Sequence, residues 1–225
     1  MAPDGSPAPL RVLGVTGGVG AGKSTVARRL AERLAGQVHD ADAIVAHLWR
    51  QEQVLEAVEA ALGPGLRGAD GSLDREALSQ RIFGDPAARQ DLEALLHPRV
   101  RRQLAADLRR QAAETPGAWA VLDIPLLREG GLDTLCQAVV HVDVPPQERC
   151  RRACARHGWE PATWEAREAA QMPETEKAAL ADHRLDHDRP ENDPGLTSAL
   201  EALAATLQEQ LAPVDLAPLL APLEA

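Results

Sequence analysis

Residues 14–25, Gly-Val-Thr-Gly-Gly-Val-Gly-Ala-Gly-Lys-Ser-Thr, form a complete phosphate-binding loop. The P-loop template asks for Gly, four free positions and then Gly-Lys-Ser/Thr, and Gly17, Gly22, Lys23 and Ser24 fill it without a gap. Glycines at 17, 18, 20 and 22 let the backbone turn tightly and press its N–H groups against phosphate oxygens. Lys23 supplies charge for the outer phosphates, and the Ser24 hydroxyl suits an associated Mg²⁺. Arg11–Thr16 is a short apolar run of strand character. Val26, Ala27, Leu30, Ala31 and Leu34 recur at helical spacing. Strand, glycine loop and helix N-terminus aimed at an anion is the context that makes the motif specific.

Bulk properties agree with an intracellular enzyme. The 225 residues suffice for an α/β core with a small appended subdomain. A net charge of −10 argues against a nucleic-acid-binding surface. Cys136, Cys150 and Cys154 are the only cysteines. They suggest no disulfide framework, so a reducing compartment, the cytoplasm, is expected. No apolar stretch approaches the roughly 20 residues a membrane span needs, and no membrane partner is expected. The first ten residues, rich in Pro, Ala and Gly, read as a disordered leader. Oligomeric state is not legible.

Gln37–His39, Ala118–Ile124 and Ala138–Val144 are further strand candidates. Strands separated by helical segments predict a parallel sheet with helices on both faces, the P-loop NTP-hydrolase-like plan. Between the second and third strands lies a helical insertion. Gln53–Leu62 is amphipathic, and Leu73–Phe83, Ala87–Leu96 and Pro98–Ala113 read as three helices, with Pro98 opening the last. Residues 146–182 are mostly helical, Thr197–Leu211 is a final amphipathic helix, and the Pro/Leu-rich tail is unassigned. The expected organisation is a leader at 1–10 and a core at 11–42 and 116–211. Within it lie a lid at about 147–178, an acceptor-binding insertion at 43–115 and a tail at 212–225.

Asp40-Ala41-Asp42 stands at the end of the second strand, where α/β sheets place their ligands. Strand alternation would set both carboxylates on one side, serving an acceptor hydroxyl or a metal shell. A solvated turn or a helix cap is the alternative, and the residues leave both open. Asp123, after Ala120-Val121-Leu122, has the form of a Walker-B acid. Arg149, Arg152 and Arg156 fall three and four residues apart on one helix face, suiting a transferring phosphoryl group or, alternatively, pairing with Glu148 and Glu160. Cys150, Cys154 and His157 lack a second ligand pair and are read as ordinary side chains. His183, Asp186, His187 and Asp188 are read as a polar turn.

With these pieces in place, the chain resembles the dephospho-CoA kinases from about Leu13 to Asp182. The resemblance rests on Val15–Ser24 with its Thr-Gly-Gly opening, on Asp40-Ala41-Asp42 and on Gly71-Ser72-Leu73-Asp74-Arg75. It continues through Ile82-Phe83 to Leu95-Leu96-His97-Pro98, Ile124-Pro125-Leu126-Leu127 with Glu129, then Arg152, Arg156, Gln171 and Lys177 to Asp182. It implies transfer of the ATP γ-phosphoryl group to the ribose 3′-hydroxyl of dephospho-CoA, with Mg²⁺. By resemblance Asp42 is the general base, and Gly18, Gly20, Ala21, Gly22, Lys23, Ser24 and Thr25 hold ATP. Lys23 and Arg152 act in catalysis, and Ser24 meets the metal. Arg156 joins Arg152 in the lid, while Arg75, His97, Pro125, Leu126 and Leu127 mark the dephospho-CoA side.

The chain departs from the family pattern at several points. Ala46 stands where Arg or His is usual, with His47 one place later. Arg149 stands where Gln is common, Arg128 replaces an apolar residue, and Asp186-His187-Asp188 replaces an Asn-bearing turn. The alternatives to this reading are a P-loop kinase for another small acceptor and an ATP-binding pseudo-kinase.

Overall fold

Three segments of this chain are apolar at nearly every position, and a strand of that kind is stable only where both faces of its sheet are covered. They become β1 (Arg11–Thr16), β3 (Trp119–Asp123) and β4 (Ala138–Asp143), each buried along almost its whole length. The computed structural model describes residues 9–189 and 193–224. In it these strands are flanked by two shorter ones, β2 (Gln37–Asp40) and β5 (His183–Asp186), in a five-stranded sheet of order β2-β3-β1-β4-β5. All four pairings are parallel. The register sets Val15 and Asp40 each opposite Asp123, so two carboxylates share the C-terminal end of the sheet.

Helix α1 (Lys23–Arg33) returns from the phosphate loop and buries Val26, Ala27, Leu30 and Ala31. Helix α9 (Pro194–Gln210) buries Leu196, Leu200, Ala204 and Leu207 in the same core cluster, beside Leu13, Val15, Val140 and Val142. Three more helices, α6 (Pro146–His157), α7 (Pro161–Ala169) and α8 (Glu174–Leu180), lie between β4 and β5. A buried polar link joins β2 to the end of a long helix, α5 (Pro86–Glu114). His39 Nε2 donates to Gln111 Oε1 at 2.7 Å, and Gln111 Nε2 donates to the Trp119 carbonyl at 2.9 Å.

The chain divides into two compact units. One takes the residues up to Asp40 together with Leu108–Leu219, and holds the sheet. The other takes Ala41–Asp107 and the residues from Leu220 on. The second contains α2 (Ala41–Leu48), α3 (Glu52–Leu62), α4 (Arg75–Ile82) and the first part of α5. Asp74 caps α4, accepting from the N–H groups of Glu76 and Ala77 at 3.0 Å, so this helix starts at Arg75 rather than Leu73.

Several expectations change. Pro98 does not open a helix; it lies inside α5, which runs unbroken from Pro86 to Glu114. Proline removes the hydrogen bond to the carbonyl four residues back, but Ala94 and Pro98 are both exposed, so water can serve that carbonyl. His183–Asp186 is not a turn but the edge strand β5, pairing Val140 with His183 and Val142 with Leu185. Asp42 is not on a strand, because helix α2 begins at Ala41 and places Asp42 in its first turn. The alternation argument therefore fails for the Asp40–Asp42 pair. Of the expected leader, residues 1–8 lie outside the described residues, and Leu10 is fully buried and bridges Val214. The tail contains α10 (Ala217–Glu224), with Leu216, Leu220 and Leu223 buried. Among the described residues no helix is long and apolar enough to cross a membrane.

Candidate active site

The loop between β1 and α1 crosses the C-terminal end of the sheet and ends in Gly22, whose φ of 85° and ψ of 26° place it in the left-handed region. Gly22 thus sits at the helix N-cap without a side-chain cap, and no acidic residue follows in the first turn. No side chain therefore caps the start of α1, where the helix dipole favours an anion. Gly20 has φ 87°, and a Cβ there would collide with the backbone carbonyl of Arg149. That close approach, as much as the turn, demands glycine.

Lys23 is folded back on the loop. Its Nζ donates to the carbonyls of Gly17 and Gly18, both at 2.9 Å. Burial lowers its affinity for a proton and the charge of Lys177 lowers it further, while Asp123, Glu174 and Glu168 act the other way. A desolvated ammonium ion hydrogen-bonded to two carbonyls gains from a phosphate arriving beside it. Lys177 is itself buried, with Nζ 2.8 Å from Gln171 Oε1, 3.4 Å from Glu174 Oε1 and 3.6 Å from Glu129 Oε1.

The loop and helix α6 together border an open cavity of about 470 Å³. Gly20 and Gly22–Thr25 form one wall, and Glu148, Arg151, Arg152 and Arg156 of α6 form another. His187, Asp188 and Arg189 close the rim. Arg152 donates from Nε to Glu148 Oε1 at 2.7 Å, and Arg151 makes a two-pronged contact with the same carboxylate. Those bonds hold the Glu148 carboxyl down at a pKa of about 2. The two readings of the arginine row therefore coexist at Arg152, which lines the cavity and is paired. Arg149 departs from the row. It is buried, ion-paired with Glu168, and stacked over the Trp164 ring at 5.4 Å.

A family model for dephospho-CoA kinase matches residues 11–193 of the chain. This chain belongs to the dephospho-CoA kinase family. A dephospho-CoA kinase of Deinococcus radiodurans is 41% identical over 94% of this chain and 96% of its own length. One from Symbiobacterium thermophilum is 42% identical over 79% of this chain and 74% of its own. A crystal structure from Thermus thermophilus is 36% identical with a TM-score of 0.72, covering 90% of this chain and 99% of that one. The dephospho-CoA kinase of Campylobacter jejuni, at 22% identity and a TM-score of 0.56, shares the fold over 89% of this chain and 97% of its own.

Against this family, the nucleotide-side residues singled out in the sequence come together. Gly20, Gly22, Lys23, Ser24, Thr25, Arg152 and Arg156 all line the one cavity. Gly18 and Ala21 are buried behind it. Of the residues expected on the acceptor side, Asp42, Arg75 and His97 belong to one unit and Pro125–Leu127 to the other. Arg75 is the exposed first residue of α4, His97 is exposed midway along α5, and Asp42 is exposed at the start of α2. In the Pro125–Leu127 segment the side chain of Leu127 is buried, crowding Gly14, whereas Leu126 is exposed with a left-handed φ of 58°. Arg128 is tied to Asp133 and to the Leu180 carbonyl.

Sequence reasoning missed His187, which is buried against Gly22; a Cβ on that glycine would come within 2.8 Å of the imidazole Nε2. It also missed Glu168 and Trp164 as partners of the loop, whereas the pairing with Glu148 offered as an alternative for the arginine row is present at Arg152. Only the spacing of Glu148 and Arg152, four apart on a helix, carried a usable signal.

Proposed function

We propose that the chain transfers the γ-phosphoryl group of ATP to the ribose 3′-hydroxyl of dephospho-CoA, yielding coenzyme A and ADP. Family membership supports the reaction, and the observation that carries it to this chain is the cavity shared by the phosphate loop and the lid arginines.

Phosphoryl transfer leaves the protein positioning and charge stabilisation rather than covalent work. The open N-terminus of α1 holds the phosphates, and Lys23 leaves the Gly17 and Gly18 carbonyls for the outer phosphates. Arg152 and Arg156 face the same cavity from the lid and offset charge that develops on the transferring group. Ser24 is exposed in the first turn of α1, and Asp123 at the end of β3 acts electrostatically on Lys23, a donor set that fits Mg²⁺. When bound, that ion would supply charge neutralisation to the phosphates.

Asp42 is assigned as general base, accepting the proton of the attacking hydroxyl. Its position supports this, since it follows Asp40 and the end of β2 by two residues in the first turn of α2. Arg75, His97 and Pro125–Leu127 are assigned to dephospho-CoA, with Leu127 contributing backbone rather than side chain. A cytoplasmic location is inferred and is supported by three free cysteines.

An ADP-release assay with dephospho-CoA beside other small hydroxyl acceptors tests the reading. Turnover with dephospho-CoA alone is the expected result. Preference for a different acceptor would reassign the substrate, and ATP binding without turnover would make the chain a pseudo-kinase.

A further inference from the structure

Both polar backbone groups of one loop residue, Val19, are held by a single helix far away in sequence. The Val19 N–H donates to Glu168 Oε2 at 3.0 Å, and the Val19 carbonyl accepts from Trp164 Nε1 at 2.9 Å. Trp164 and Glu168 lie four apart on α7 and so present one face to the loop. Arg149 of α6 locks the pair together. Its guanidinium is ion-paired with Glu168 and lies over the indole ring, and its Nε donates to the Val144 carbonyl at 3.1 Å. A Cβ on Gly18 would collide with that guanidinium, so loop and clamp are fitted to one another.

We propose that Trp164, Glu168 and Arg149 are positioning residues for phosphoryl transfer, acting by fixing the orientation of two peptide planes in the phosphate loop. This rests on the kinase reading above. A trans peptide is planar, so its carbonyl and its N–H point in opposite directions. The Val19 carbonyl and the Gly20 N–H belong to one plane. By holding the carbonyl, Trp164 aims the Gly20 N–H the other way, and Gly20 is where the loop enters the cavity. The preceding plane is held at both ends without Lys23, whose bond to the Gly18 carbonyl is given up to the phosphates, because the Ala21 N–H stays on that carbonyl and Glu168 on the Val19 N–H. Since Gly20 has no Cβ to resist it, an unheld plane can flip. It would then turn a carbonyl oxygen, instead of a donor, toward the phosphates. Arg149 neutralises Glu168, so a carboxylate beside an anion-binding loop does not repel the nucleotide.

The test uses the full-length protein with Trp164→Phe, Glu168→Ala and Glu168→Gln. Phe keeps the ring under Arg149 and removes only the donor, and Gln keeps an acceptor for the Val19 N–H. Steady-state kinetics, melting temperature and MgADP affinity are measured for each. The expected result is a fall in kcat of about 10-fold for Trp164→Phe and at least that for Glu168→Ala, with Glu168→Gln recovering to within about 3-fold of wild type. In the wild type the Gly20 amide ¹⁵N–¹H signal shifts on adding MgADP, and in Trp164→Phe this shift is reduced.

If Trp164→Phe and Glu168→Ala melt earlier yet keep kcat, KM for ATP and the Gly20 shift within about 2-fold of wild type, the clamp is only structural and the proposal is overturned. Should wild type fail to phosphorylate dephospho-CoA, the kinase reading fails alone. The clamp is then decided by MgADP affinity, with weakening in the variants supporting it and unchanged affinity refuting it.

Discussion

Arg152 and Glu148 are joined one helical turn apart on α6, Nε to Oε1 at 2.7 Å, and the same oxygen also accepts from Arg151 Nη2 at 2.7 Å. One carboxylate thereby sets the direction of two cations at the cavity beside the phosphate loop. With a folded pKa of about 2 against an ordinary value of 4.5, Glu148 stabilises the fold in its ionised form. That contribution is complete above pH 4.5 and is lost as pH falls toward 2. Melting curves of Glu148→Gln and wild type should therefore differ most above pH 5 and converge near pH 2.

Arg152 and Arg156 should matter more for turnover than for binding to the open enzyme, because a lid contributes most once water is excluded. Arg152→Ala and Arg156→Ala are each expected to reduce kcat by a larger factor than they raise the ATP dissociation constant. Normal kcat in either would return that arginine to a solvated helix face.

Lys23→Ala should lower single-turnover transfer by several orders of magnitude at saturating ATP while the protein stays folded. The charge on the breaking bond grows in the transition state, so the loss falls on the chemical step. Unchanged transfer in the folded variant would remove the phosphate loop from the mechanism.

Asp42 and Asp40 are separable. Asp42→Asn keeps size and removes the base, and kcat is expected to fall by about 10²- to 10⁴-fold with ATP affinity little changed. Asp40, at the end of β2 opposite Asp123, should give a milder loss as Asn. If Asp40→Asn is the inactive protein and Asp42→Asn is near wild type, the assignment of the base is reversed.

Leu10 tests the N-terminal boundary. It is fully buried and its N–H donates to the Val214 carbonyl at 3.1 Å. Leu10→Ala should destabilise by about 2–5 kcal/mol in denaturant titration, the range for a buried leucine. A change inside about 0.5 kcal/mol would show that the expected leader does extend to this residue.

The phosphate loop was legible because everything that defines it is local. Gly17 through Thr25 are contiguous, their strand and helix flank them directly, and glycine and lysine are chosen there for backbone and charge. The three central strands were legible for a related reason, since burial on both faces leaves an unbroken apolar run. The edge strand β5 was not. Among its four residues only Leu185 is buried, and polar neighbours hide a strand whose pairing partners lie 43 residues earlier.

Local sequence also determined that Arg149, Arg152 and Arg156 share a helix, and that Asp40 and Asp42 stand near the end of β2. Which of the arginines lines the cavity beside the phosphate loop was decided by packing. Arg149 turns inward because Glu168 and Trp164, from another helix, offer it a charge and a ring, while Arg152 meets the cavity anchored by Glu148. Asp42 left the strand because the helix begins at Ala41, two residues sooner than alternation assumed. His187, unremarkable in a run of polar residues, is buried against Gly22 because β5 delivers it there. Chemistry that depends on neighbouring residues can be read along a chain. Chemistry that depends on a partner brought from another element appears only once the fold has set the distance between them.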